Sequence, residues 1–84
     1  MNTSNFIALL DRFAAAAVAN DAASFAALFS ENGVYEDLFF GRHRGRSDIA
    51  AMLQRFHDTG RDYRWEFVDV LANEAVGYAR FHFS

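Results

Sequence analysis

Ala27-Leu28-Phe29-Ser30-Glu31-Asn32-Gly33-Val34-Tyr35-Glu36-Asp37, continued by Gly41-Arg42-His43-Arg44-Gly45-Arg46-Ser47-Asp48-Ile49, is the stretch whose reading decides the fold of this chain. A helix ends in its first residues, and Ser30 to Gly33 form a turn in which Asn or Gly can take positive φ. Val34 to Asp37 then reads as a short strand, whose two-residue period puts Tyr35 and Asp37 on one face and Glu36 on the other. Gly41 and Gly45 bracket a tight return that contains Arg42-His43-Arg44. Ser47 is placed to cap a further helix, with Ile49, Met52, Leu53 and Phe56 as its buried stripe and Thr59-Gly60 as its end.

Upstream, Phe6, Leu9, Leu10, Phe13, Ala17 and Val18 recur at three- and four-residue spacing. This predicts an amphipathic helix from about Ser4 to Ala19, capped by Thr3 or Ser4. Asn20-Asp21 interrupts it, and Asp21 can cap a second helix carrying Phe25, Leu28 and Phe29. Downstream the period changes to two from Arg61: Tyr63, Trp65 and Phe67 alternate with Arg64, Glu66 and Val68 in one long strand that runs to Leu71. After a polar turn at Ala72 to Ala75, Val76, Tyr78, Arg80 and His82 alternate with Gly77, Ala79, Phe81 and Phe83 as far as Ser84. Helices followed by a mainly antiparallel sheet give an α+β class. The alternation is still running at Ser84, so the last strand is expected to need a neighbour along its edge.

The chain has 84 residues, of which 52% are hydrophobic and ten are Phe, with no cysteine. Residues 1–84 are expected to form one domain, and a core this small is marginal without added burial from a partner chain. Disulfides and thiolate zinc sites are excluded. The surplus of Phe fits either an apolar cavity or a hydrophobic oligomer face. A net charge of −3, spread along the chain, offers no electrostatic footprint for nucleic acid or for an anionic membrane. No apolar run approaches the length of a membrane span, and a cytoplasmic location is the expectation.

Three histidines and many carboxylates are present, but none shows the spacing of a His-carboxylate metal site, so no metal is expected. The glycines of Gly41 and Gly45 lack the strand-to-helix pattern that cradles a pyrophosphate, and no cofactor is expected. Arg42, Arg44 and Arg46 are read as solvating a hairpin and pairing with Glu36 or Asp48. His57 and His82 could serve as acid or base or lie at a pocket mouth, while His43 belongs to the hairpin tip. Asp37 is the candidate for chemistry. A carboxylate facing an aromatic-lined cavity loses hydration, its pKa rises, and it becomes a better proton acceptor.

In order and spacing these elements resemble the nuclear transport factor 2-like superfamily, which includes the ketosteroid isomerases and the SnoaL-like polyketide cyclases. The segment from Ala27 to Asp37 carries the resemblance, and Asn73-Glu74-Ala75 matches a turn found in those isomerases. The resemblance implies helices packed on a curved sheet, forming a cone around a pocket for a small apolar molecule. It places the family's general-base aspartate on Asp37 and the tyrosine of its oxyanion-holding pair at Phe13, which cannot donate a hydrogen bond. The other member of that pair would fall beyond Ser84, so the chain is expected to correspond to the first two-thirds of such a domain, either shortened or completed by a partner.

On this reading Phe13, Tyr35, Phe56, Tyr63, Trp65, Phe67, Tyr78 and His82 contact the substrate; Tyr35, Tyr63, Trp65 and Tyr78 are read first as lining the core or pocket wall, with replacement of the donor lost at Phe13 by one of them as the weaker alternative. The activity implied is that of a cofactor-independent isomerase or cyclase, with true steroid isomerase activity low. The alternative is a noncatalytic ligand-binding or dimerisation module of the same fold. A homodimer formed through the sheet is expected in either case.

Overall fold

The computed structural model describes residues 2–60 and 62–84, which leaves the Arg61 of the period change outside the described residues. The first helix, α1 (Thr3–Ala19), starts one residue earlier than its apolar period suggests, because Asn2 rather than Thr3 or Ser4 is the cap. The Asn2 side chain accepts the backbone N–H of Asn5 at 2.8 Å and satisfies one of the donors that a helix start leaves unpaired. Thr3 is thereby free to donate its hydroxyl to the Ala72 carbonyl at 3.3 Å, tying the start of α1 to a distant strand. At the other end Asn20 adopts the left-handed conformation (φ 56°, ψ 36°) that closes the helix. Asp21 then accepts the Ser24 N–H at 3.2 Å and caps the short α2 (Ala22–Ala27) as its sequence predicts.

Neither Asn32 nor Gly33 takes the positive φ expected of the turn that follows. Gly33 suits the turn for a different reason: a Cβ on it would lie 3.0 Å from the Ser30 carbonyl oxygen and 3.1 Å from Phe29 Cβ, so the neighbouring chain would have to give way slightly. The strand β1 (Val34–Asp37) follows and pairs antiparallel with β2 (Gly41–Arg44), Tyr35 opposite His43 and Asp37 opposite Gly41. The hairpin tip is therefore Leu38, Phe39 and Phe40, and not Arg42-His43-Arg44, which are strand residues. The expectation erred because the glycines were read as brackets of a turn, whereas Asp37 builds the turn with its own side chain.

Gly45, at φ 84°, is the cap residue of α3 (Arg46–Asp58), and no side chain caps that helix. Ser47 lies inside the first turn, where its hydroxyl plays no capping part. Asp48 supplies the negative charge that the positive end of the helix dipole favours, and it accepts the Arg44 N–H at 3.3 Å.

The last two strands, β3 (Trp65–Ala72) and β4 (Gly77–Phe83), form a second antiparallel pair. Tyr63 precedes β3 instead of belonging to it. The strict alternation expected from Arg61 to Leu71 fails at a bulge: between the pairs Val68–Arg80 and Leu71–Tyr78, two residues of β3, Asp69 and Val70, stand against one of β4, Ala79. Asp69 sits in the bulge at φ 51° and accepts a hydrogen bond from the Arg80 guanidinium. One extra residue inverts the faces, because the side-chain period is two. Trp65 and Phe67 point inward before the bulge, Val70 and Ala72 after it, and Leu71 is turned outward at 67% exposure. Beyond β3 the chain reverses on Asn73, whose side-chain oxygen accepts the N–H groups of Ala75 and Val76, both at 2.8 Å.

The helices and strands make the α+β class read from the sequence. Ala16 and Ala17 of α1, Phe25 and Ala26 of α2, and Ile49, Met52 and Leu53 of α3 form the buried core, with no buried charge among the described residues. The alanines let α2 approach α1 closely, and α2 in turn packs on α3, with Phe25, 1% exposed, enclosed in this core. No helix among the described residues is long and apolar enough to cross a membrane.

Removing the Phe25 ring leaves a large cavity in this small core. Phe25→Ala is expected to lower unfolding free energy by about 3–5 kcal/mol, a large share of what a domain of this size possesses. Urea unfolding followed by circular dichroism measures it.

Candidate functional site

Between the helical core and the β3–β4 pair lies a cavity of about 490 Å³, lined almost wholly by apolar side chains. Helix α1 contributes Phe6, Leu10 and Phe13, α3 contributes Phe56, β3 contributes Trp65 and Phe67, and β4 contributes Ala79, Phe81 and Phe83. The first hairpin closes one end with Tyr35, Glu36, Asp37 and its tip residues Leu38, Phe39 and Phe40. The lining follows from strand parity and the 3.6-residue helix period: Phe6, Leu10 and Phe13 share one stripe of α1, and Trp65 and Phe67 share one face of β3.

Phe13 is the centre of the aromatic wall. Its ring centroid lies 4.7 Å from that of Phe25, 5.2 Å from Trp65 and 5.7 Å from Phe67, the last two in edge-to-face geometry. Phe56 meets Phe40 at 5.6 Å and Phe83 at 5.5 Å across the other side. The indole N–H of Trp65 is buried without a hydrogen-bond partner. Most of this wall is fixed by ring-on-ring packing, but Leu38 and Phe39 are 99% and 91% exposed at the hairpin tip.

Asp37 accepts three hydrogen bonds. Its Oδ2 receives the Tyr35 hydroxyl at 2.7 Å, and its Oδ1 receives the backbone N–H groups of Phe39 at 2.9 Å and Phe40 at 2.5 Å. Burial pushes the carboxyl upward, but the Phe40 N–H, the Tyr35 hydroxyl, the Phe39 N–H and the nearby His43 together outweigh it. The Asp37 carboxyl is therefore held below the ordinary aspartate value, the reverse of the rise expected from an aromatic cavity. The expectation failed because it counted desolvation and could not count donors that exist only once the hairpin has formed. Tyr35 shows the complementary effect: burial, then its bond to Asp37 and the charge there, push its hydroxyl well above the usual tyrosine value.

The remaining residues singled out in the sequence separate into two groups. Phe13, Tyr35, Phe56, Trp65 and Phe67 line the cavity with Asp37. Tyr63 stands behind that wall, its ring 4.4 Å from Phe56 and its hydroxyl donating to the Phe56 carbonyl at 3.0 Å. Tyr78, 72% exposed, and His82 lie on the outer face of β4, because Ala79, Phe81 and Phe83 are the residues of opposite parity that face inward. His57 is also away from the cavity; its Nε2–H donates to the Ala17 carbonyl at 2.6 Å and joins α3 to the end of α1.

His43 is not at the tip but on β2, with Nε2 donating to the Phe40 carbonyl at 2.5 Å and Nδ1 3.4 Å from Asp48. Arg42 pairs loosely with Glu36 at 3.8 Å, both exposed, and Arg46 donates to the Phe29 carbonyl at 2.9 Å. No group of three His, Asp or Glu side chains able to hold a metal ion occurs among the described residues. Sequence reasoning missed the cavity contributions of Phe6, Leu10, Phe40, Phe81 and Phe83. Helical and strand periods carried the signal for four of them, since Phe6 and Leu10 share a stripe with Phe13, and Phe81 and Phe83 share a strand face; Phe40 lies in the hairpin turn, where no period applies.

A profile of the SnoaL-like domain matches residues 10–84. Among curated proteins, none matches the sequence significantly. A crystal structure from Sinorhizobium meliloti, of a protein provisionally named a polyketide cyclase, superposes with a TM-score of 0.79. The two sequences are 18% identical, and the match covers 100% of this chain and 75% of that one.

The lowered Asp37 carboxyl has a measurable consequence. A carboxyl whose folded value lies below its unfolded value of about 3.9 stabilises the fold fully above about pH 5, and that stabilisation is lost as pH falls through the folded value. Asp21, held low by the Ser24 hydroxyl and then the Ser24 N–H, contributes in the same sense. Asp37→Asn is expected to cost about 1 kcal/mol at neutral pH through weaker hydrogen bonds and to flatten, without abolishing, the loss of stability between about pH 5 and 3. Unfolding curves of both proteins across that range give the difference.

Proposed function

The chain belongs to the SnoaL-like domain family, within the nuclear transport factor 2-like superfamily, and we propose that it binds a small apolar molecule in the cavity between α1 and the β3–β4 pair. The observation that carries this reading is the cavity itself: a volume of about 490 Å³ within the range of small-molecule sites, an aromatic wall, and polar groups gathered at one end. Burial of the ligand against these rings supplies the affinity, and Tyr35 with Asp37 orients it.

Trp65 is the sole tryptophan of the chain and lies in the cavity wall, so its fluorescence is a direct reporter. The uncharged probe Nile red should quench it saturably. Ala79→Phe, which fills part of the cavity from β4, should weaken that binding about tenfold or more, equivalent to about 1.4 kcal/mol. Unsaturable quenching, or an unchanged affinity in Ala79→Phe, would remove the cavity as the site.

A catalytic reading is favoured by one observation, the carboxylate and hydroxyl of Asp37 and Tyr35 paired at 2.7 Å at the cavity's polar end. In this reading Asp37 takes a proton from a carbon next to a carbonyl group, as a cofactor-independent isomerase or cyclase requires. Two features limit the rate: the carboxyl is held low, and Phe13 offers no donor to the developing oxyanion, a loss worth about a hundredfold or more. Isomerisation of a steroid-like enone is expected to be slow in the native protein and slower still in Asp37→Asn. Equal rates in the two would take Asp37 out of the chemistry.

A further inference from the structure

We infer that the cavity selects, among apolar molecules, those that carry a positively charged nitrogen: a hydrophobic amine whose body fills the aromatic chamber and whose nitrogen lies at the Asp37 end. The inference rests on the proposed use of the cavity as a binding site and narrows the ligand's chemistry. Three observations carry it.

The charged residues lining the cavity are Glu36 and Asp37, and none of the described residues that line it is Arg or His. The nearest cationic groups are engaged outside. Arg42 is turned toward Glu36 on the exposed side of the hairpin, and His43 lies between the Phe40 carbonyl and Asp48. An anion entering the chamber would meet the Asp37 carboxylate and no cationic side chain on the wall, whereas a cation is attracted by Asp37; the Glu36 carboxylate faces outward to Arg42.

The wall itself is the second observation. Ten of its side chains are aromatic, and ring faces carry the negative part of a quadrupole that attracts an ammonium group within about 6 Å of the ring centre. Phe40, Tyr35 and Phe39 stand on the same hairpin as Asp37, so aromatic rings and the carboxylate share one end of the chamber. This combination compensates the hydration that a cation gives up on entering an apolar chamber, where rings alone would not.

The third observation is the hydrogen bonding of Asp37. All three of its bonds come from neutral donors, one hydroxyl and two backbone N–H groups, so its charge is stabilised without being neutralised. Oδ1 receives two of them and Oδ2 one, which leaves a lone-pair position on Oδ2 to receive an N–H from the ligand. Because the Asp37 carboxyl lies below its ordinary value, the charge is present at neutral pH.

Three compounds with one hydrocarbon cage test the inference: 1-adamantanamine, 1-adamantanol and adamantane-1-carboxylate, titrated by calorimetry and by Trp65 fluorescence at neutral pH. The amine is expected to bind about tenfold more tightly than the alcohol, and the carboxylate least of all. In Asp37→Asn the amine should fall to the level of the alcohol while the alcohol's affinity is kept. Glu36→Gln, which changes an exposed side chain and removes the partner of Arg42, should also narrow the gap if the Asn variant folds poorly. Equal binding of amine and alcohol, or preferred binding of the carboxylate, would overturn the inference and leave the apolar cavity standing as a site. Failure of all three compounds to bind would overturn both.

Discussion

The ring of Phe13 is the contact on which both halves of this protein rest. It projects from α1 into the space between α2 and β3, where it meets Phe25 of the helical core on one side and Trp65 and Phe67 of the sheet on the other. The helical core of Ala16, Ala17, Phe25, Ala26, Ile49, Met52 and Leu53 is covered by Phe13 and Trp65, and β3–β4 alone would be a marginal hairpin. Phe13 binds the two into one unit and, because it lies at their junction, forms the cavity wall as well. The position where the resemblance to ketosteroid isomerases implies a hydroxyl donor is thus given to packing.

Asp37 shows a comparable exchange. Its carboxylate shapes the hairpin by holding the N–H groups of Phe39 and Phe40, which fixes Leu38 and Phe39 outward at the cavity's edge. The same bonds keep the group ionised and reduce its strength as a base. A carboxylate can serve as an architectural acceptor and as a negative charge for a ligand at once, since neither role consumes a proton. General-base catalysis demands the opposite tuning, a carboxyl raised toward the working pH. The geometry at Asp37 therefore supports recognition more directly than proton transfer.

Much of this was legible in local sequence. The Asp21 cap, the stripe of Ile49, Met52 and Leu53, the strand at Val34–Asp37 with Tyr35 and Asp37 on one face, and the inward parity of Trp65 and Phe67 all follow from periodicities of 3.6 and 2. Each is set by a few neighbouring residues. The misplacements share a cause. Asn2 displaced Thr3 and Ser4 as a cap, the glycine bracket was read as the hairpin tip, and Ser47 was read as a cap that Gly45 and Asp48 make unnecessary. In every case several polar or flexible residues could satisfy the same local requirement: the Thr3 hydroxyl is drawn to Ala72, the hairpin tip is set by the bonds of Asp37 to Phe39 and Phe40, and Asp48 accepts from Arg44 at the start of α3.

The amino-acid sequence by itself determined the α+β class, the order of the elements, and the aromatic wealth that a small core cannot absorb, because these depend on spacing and composition alone. Only the tertiary structure decided which rings face one another across a cavity. The bulge at Asp69 reverses the faces of β3 by inserting a single unpaired residue, which sends Leu71 outward, and parity on β4 turns Tyr78 and His82 away from the chamber. It also decided the direction in which Asp37 titrates. Desolvation can be anticipated from an apolar sequence, but the donors that overcome it come from a backbone turn and a cross-face hydroxyl that exist only after the chain has folded.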